Sequence, residues 1–182
     1  MPRIFVRDFT VPETAIDVNR HVNHLEYLRW MQDIAIEHSA AQGWPHERYR
    51  ATRTGWVVRS HSIEYLRPAF AGEALLLLTW VADLRTSSSL RKYLVWRTSD
   101  RRVLAQAETL WVFVESGSGR ARPIPEELRS SFDVVPDPDE VLRLLHSMDA
   151  ASPHPRRRPP MDRPDPLTRR RARAPSPQRG CS

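Results

Sequence analysis

Apolar and polar positions alternate at the start of the chain and then change period. Ile4, Val6 and Phe9 mark a short first strand over residues 3–9. Over residues 23–42 the spacing lengthens to three and four: Tyr27, Leu28, Met31, Ile34, Ala35 and His38 form one stripe, which predicts a long helix. Asn23 suits its N-cap, and Gly43 followed by Trp44 and Pro45 suits its end. Trp30 and Ile36 lie off the stripe, so this helix is expected to be wrapped on more than one side.

A polar loop follows, and the period returns to two. Residues 55–67, 73–84, 90–98 and 103–115 read as strands. The serines at 87–89 and the polar residues 99–102 give them tight antiparallel connections. Residues 126–130 suit a final helical turn and residues 138–148 a short helix. One strand, one long helix and four strands make an α+β domain without internal repeats.

Charge divides the chain. Residues 151–182 hold nine arginines and two aspartates, +7 against a total of +6, so the first 150 residues carry −1. The expected organisation is a folded domain over 1–132, an extension over 133–149, and a Pro/Arg-rich tail over 150–182. That tail has too little apolar surface to offset ordering entropy and is expected to be disordered. Its Arg runs lack interleaved aromatics, so no specific nucleic-acid partner is expected, only weak contact with anionic surfaces. Cys181 is the only cysteine, which excludes an intrachain disulfide. The N-terminus lacks an apolar signal region, and the run from Ala74 to Leu78 is too short to span a bilayer. A cytoplasmic setting is the expectation.

The chemistry concentrates in Asp17, Asn19, His21, Asn23 and His24, directly before the long helix. A helix start offers unpaired backbone N–H groups and the positive end of a dipole. A carboxylate there suits acyl transfer, as base or nucleophile, with the N–H groups of Val22, Asn23 and His24 as oxyanion donors. The bland alternatives are a capping or turn aspartate, an Asx-turn at Asn19 and a packed histidine at His21. His21, His24 and Asp17 do not reach metal-ligand arithmetic, and neither metal nor cofactor is expected.

The run Asp17-Val-Asn19-Arg20-His21-Val-Asn23-His24 with Tyr27 resembles the helix-entry motif of acyl-ACP thioesterases and of the 4-hydroxybenzoyl-CoA thioesterase-like group. Ile63-Glu64-Tyr65-Leu66-Arg67-Pro68-Ala69, Gly72-Glu73 and the ending from Trp111 through Gly119 to Pro125 resemble the same superfamily over residues 3–130. The resemblance implies a single hotdog fold, an antiparallel sheet wrapped around the long central helix. It implies hydrolysis of an acyl-CoA or acyl-ACP thioester by Asp17 with Asn19 and His21, in a homodimer or a dimer of dimers. Two departures stand out. Arg20 replaces the usual Gly of the bacterial group, and Pro68 and Ala69 stand where the plant enzymes place a further acid and a Cys.

On the second strand, Val57, Arg59, His61, Ile63 and Tyr65 are expected to share the inner face, with Glu64 facing out. Tyr27, Met31, Arg59 and His61 are the expected substrate-binding side chains, the acyl chain running between helix and sheet. Arg85, Arg91 and Lys92 form a candidate cluster for CoA phosphates, or else solvated strand ends. A hydroxyacyl-thioester dehydratase and a non-catalytic acyl-CoA-binding module are the alternative functions.

Overall fold

A computed structural model describes residues 3–151. The arginine-rich segment from 152 onward, with the expectations placed on it, lies outside the described residues. Five strands, β1 (Ile4–Thr10), β2 (Thr54–Tyr65), β3 (Ala74–Leu84), β4 (Ser88–Arg97) and β5 (Arg102–Glu115), form one antiparallel sheet in the order β1-β3-β4-β5-β2. The long helix α1 spans His24–Ala41. Its start is fixed by Asn23, whose side chain accepts the Leu25 N–H at 3.0 Å, and its end by Gly43 at φ +85°. The stripe of Tyr27, Trp30, Met31, Ile34 and Ala35 is buried against Leu75, Leu77, Tyr93 and Val95 of the sheet.

Two helices depart from the expected pattern. The polar loop after α1 contains α2 (His46–Ala51), which Tyr49 anchors beside Trp44 and Phe113. After the short helix α3 (Glu126–Ser130), α4 (Pro138–Ala151) runs past the expected boundary at 149. It places Val141 and Leu145 on the sheet face opposite α1, against Ile4, Leu78, Trp80, Leu94 and Trp96. That second core explains the continuous apolar run of β3: Leu75 and Leu77 face α1, while Leu78 and Trp80 face α4. Among the described residues, no helix is long and apolar enough to cross a membrane.

The inner face of β2 differs from simple alternation. Its register against β5 shifts between Val58 and Ser60, leaving Arg59 as the extra residue of a β-bulge. The bulge switches parity. Trp56 and Val58 lie opposite Phe113 and Trp111, while beyond it His61, Ile63 and Tyr65 lie opposite Thr109, Ala107 and Ala105. Val57 and Arg59 therefore leave the inner set, whereas His61, Ile63 and Tyr65 keep it. Strand β2 is also an edge, twelve residues long, with Val57 and Val58 each more than two-fifths exposed.

Candidate active site

The segment between the first strand and α1 folds as a tight turn around Asp17. The Asp17 N–H donates to the His21 carbonyl at 2.9 Å, and the Arg20 N–H donates to the Asp17 carbonyl at 3.0 Å. Closing this turn puts Arg20 at φ +67°, the left-handed region that glycine adopts without cost. The turn expected of a glycine is thus formed with an arginine in its place. Ile16 and Val22 bridge its two sides.

Asp17 Oδ1 accepts the Asn19 backbone N–H at 2.8 Å, and Oδ2 faces the Asn19 amide at 3.4 Å. His21 Nδ1 stands 3.8 Å from Oδ1. Desolvation pushes the Asp17 carboxyl pKa up, but the Asn19 bonds and the neighbouring His21 outweigh it, holding the carboxyl below its ordinary value. The side chain is one-fifth exposed, so the anion is held by donors yet open to a substrate.

The three expected oxyanion donors separate. The Val22 N–H donates to the Ala69 carbonyl and the Asn23 N–H to the Ala15 carbonyl, both at 2.9 Å. These bonds fix the helix entry against the strand signature, and they withdraw both groups as donors to a ligand. The Leu25 N–H is taken by the Asn23 side chain and the Glu26 N–H by the Asn23 carbonyl. Among the described residues the His24 N–H has no such acceptor, so it is a helix-start donor left unengaged.

The loop that receives Val22 is itself pinned. Arg97 Nη1 reaches Glu73 at 3.0 Å and the Pro68 carbonyl at 3.3 Å, Arg97 Nη2 reaches Asp100 at 2.7 Å, and the Phe70 N–H donates to Glu73. These bonds to both carboxylates raise the Arg97 pKa above its ordinary value. Ala69, which accepts the Val22 N–H, is fully buried.

The expected substrate-binding residues do not form one group. Tyr27 and Met31 are buried in the core, Tyr27 against Trp30 and Tyr65. Arg59 sits at the exposed bulge. His61 Nδ1 and Thr109 Oγ1 are hydrogen-bonded at 2.7 Å, and desolvation pushes the His61 pKa down. The Arg85–Arg91–Lys92 cluster also divides, because neighbours on a strand face opposite ways. Arg85 pairs with Asp83, Lys92 lies 4.0 Å from Glu108, and Arg91 is buried under α1.

His61 and Arg85 line a cavity of about 300 Å³, and a larger one lies at the far end of α1 from Asp17. About 480 Å³ opens between Ala35, Ile36 and Ser39 of α1, Tyr49 of α2, and Trp56, Arg91 and Trp111 of the sheet. That volume suits a small organic ligand. Sequence reasoning missed it because α2, which the sequence pattern did not predict, forms one wall and the start of β2 another. Among the described residues, no group of His, Cys, Asp and Glu side chains is placed to hold a metal ion.

A family model described as "Thioesterase-like superfamily" matches residues 11–132. A palmitoyl-acyl carrier protein thioesterase from Cuphea hookeriana is 22% identical over 163 residues, covering 82% of this chain and 39% of that protein. The chain thus spans about two-fifths of the length of this plant relative. The long-chain acyl-CoA thioesterase FadM of Escherichia coli strain K12 is 24% identical, covering 65% of this chain and 89% of that one. A 1,4-dihydroxy-2-naphthoyl-CoA thioesterase from Synechocystis superposes with a TM-score of 0.65 at 16% identity, over 70% of this chain and 94% of that one. The structural likeness shows the fold, a single hotdog domain with the sheet around α1.

Proposed function

The chain belongs to the thioesterase-like superfamily, and from that premise we propose that it hydrolyses an acyl-CoA or acyl-ACP thioester, releasing a free carboxylic acid. The observation that carries this reading is the Asp17 carboxylate, held ionised by Asn19 just before a helix whose His24 N–H is unengaged. In the reaction the carbonyl oxygen meets the His24 N–H, which strengthens its bond as the oxygen gains charge. One such donor contributes ~3 kcal/mol to lowering the barrier. Water oxygen bonds to the acyl carbon, the C–S bond breaks, and the thiolate leaves with a proton. Asp17 serves this step either by taking the proton from water and passing it to sulfur, or by attacking first and forming an anhydride that water opens. Asn19 holds the carboxylate in place for either route, and His21 lies beside it.

The same geometry favours hydrolysis over dehydration. A dehydratase needs a histidine paired closely with a carboxylate. His21 Nδ1 stands 3.8 Å from Asp17, and His61 Nδ1 is bonded to a hydroxyl, that of Thr109, so among the described residues of one subunit neither histidine is hydrogen-bonded to a carboxylate.

The proposal includes a homodimer formed through β2. A long, exposed edge strand is a template for pairing, and twofold pairing makes the two copies of β2 antiparallel. The Tyr65 end of one strand then faces the Thr54 end of the other. Tyr65 adjoins the start of α1, where its hydroxyl lies 3.4 Å from the His24 carbonyl, and Thr54 and Trp56 line the cavity. The pairing therefore brings one subunit's Asp17 turn to the mouth of the other's cavity, which becomes the acyl pocket. A reduced, cytoplasmic setting completes the reading. Assaying acyl-CoA and acyl-ACP panels beside an Asp17→Asn control tests it: cleavage of no thioester contradicts it.

A further inference from the structure

The inner face of the sheet carries a buried positive charge, Arg91, which is 6% exposed. Its Nη1 contacts His38 Nδ1 at 2.9 Å and Thr79 Oγ1 at 3.3 Å, and its guanidinium lies 5.7 Å from the Phe132 ring centre. Among the described residues it meets no carboxylate. A guanidinium stays protonated in proteins, so the charge is retained in the interior, where burial disfavours an ion without an opposite charge.

Its neighbours deepen the imbalance. Tyr93, two residues along β4 on the same face, has a buried hydroxyl with no hydrogen-bond partner among the described residues. Trp111 lies on the adjacent strand opposite Ser89, one inward position from Arg91, and its buried indole N–H also has none. Such positions lie about 7 Å apart. Arg91 and Trp111 both line the cavity. The Arg91 guanidinium and the Trp111 indole N–H thus meet on one wall of the cavity, where among the described residues Arg91 has the neutral acceptors His38 and Thr79 but no carboxylate. Buried polar groups are ordinarily satisfied, so this pattern calls for an acceptor-rich anionic group from a ligand.

We propose that Arg91 is a specificity-determining residue, and that the cavity takes acyl groups whose far end carries a carboxylate. This rests on the hydrolase reading, because it takes the cavity as the acyl pocket with the thioester held at its mouth. A chain entering from there places its distal end near Arg91. A methyl end leaves the guanidinium unpaired, whereas a carboxylate accepts two parallel N–H bonds from its fork. The substrate class is then the mono-thioester of a dicarboxylic acid.

Two matched pairs of probes test this on the full-length protein. The first is turnover of octanoyl-CoA against suberyl-CoA, equal in chain length and differing in the terminal group. The second is thermal stabilisation by octanoate against 1-octanol, which needs no catalysis. Wild type is expected to favour suberyl-CoA by at least ~10-fold in kcat/KM, since a site built for a polar group discriminates strongly against its absence. Octanoate, and not octanol, is expected to raise Tm, and Arg91→Met is expected to abolish both preferences. Equal or better cleavage of octanoyl-CoA by wild type overturns the proposal, as does equal stabilisation by acid and alcohol. If Arg91→Met does not fold, the wild-type comparisons decide alone. Cleavage of neither thioester with selective binding of octanoate removes the hydrolase reading and leaves the anion site standing.

Discussion

The Asn19 backbone N–H lies 2.8 Å from Asp17 Oδ1, so the carboxylate is held by the residue two places after it. The Asn19 amide adds a longer contact to the other oxygen. Both favour the charged form, and the charged form is the one that catalysis requires. Activity should therefore hold from neutral pH downward and fall only below the ordinary aspartate value of 3.8. The same depression contributes stability above the unfolded-state pKa that is lost as pH falls through the folded one. Asn19→Ala removes the amide contact and should move the acid limb of kcat/KM to higher pH. A wild-type acid limb assigned to Asp17 above 3.8, or a limb that Asn19→Ala leaves in place, would contradict this account.

Arg20 holds the turn at a φ of +67°. A side chain in the left-handed region costs roughly 1–2 kcal/mol that glycine does not incur, partly offset by glycine's freer unfolded chain. Arg20→Gly should raise Tm by a few degrees at most and leave the Asp17 turn intact. Calorimetric melting checks the sign, and a lowered Tm would mean that the Arg20 side chain stabilises the turn by other contacts.

The exposed β2 edge predicts assembly. Introducing charge with Val57→Asp and Val58→Asp should shift the protein from dimer to monomer and remove activity along with it. Sedimentation velocity beside a thioesterase assay reads both quantities. A wild-type monomer that is fully active at assay concentration would remove β2 pairing from the mechanism.

Leu145 is 1% exposed on α4, beneath which lie Trp80, Leu94 and Trp96. Leu145→Ala should cost roughly 2–5 kcal/mol of stability, with Tm falling about 2–4 °C for each. Catalysis at temperatures where the variant remains folded should be unaffected, because α4 lies on the sheet face away from α1. A Tm within a degree of wild type would show that α4 adds little to the fold.

These residues also show where the sequence was readable. Helix α1 was legible because Asn23, the three-and-four stripe and Gly43 agree, and each acts locally. The fate of the Val22 and Asn23 N–H groups was not, because their acceptors, Ala69 and Ala15, depend on how distant segments meet. The inner face of β2 was misread at Val57 and Arg59 because one bulge residue reverses all parity on its far side. Arg91 alternates with Leu90 and Lys92 and looks solvated on its own strand; only the stacking of α1 above it makes it an interior charge. Likewise, the apolar face that α4 covers was written in β3 as consecutive leucines. What covered it required the third dimension.

Asp17→Asn keeps the size of the side chain and removes its charge and basicity. The variant is expected to form a folded dimer with wild-type Tm to within a few degrees and kcat reduced by at least ~100-fold on the best acyl thioester. A folded variant that retains more than about a tenth of wild-type kcat, well short of that loss, would contradict the assignment of Asp17 as base or nucleophile.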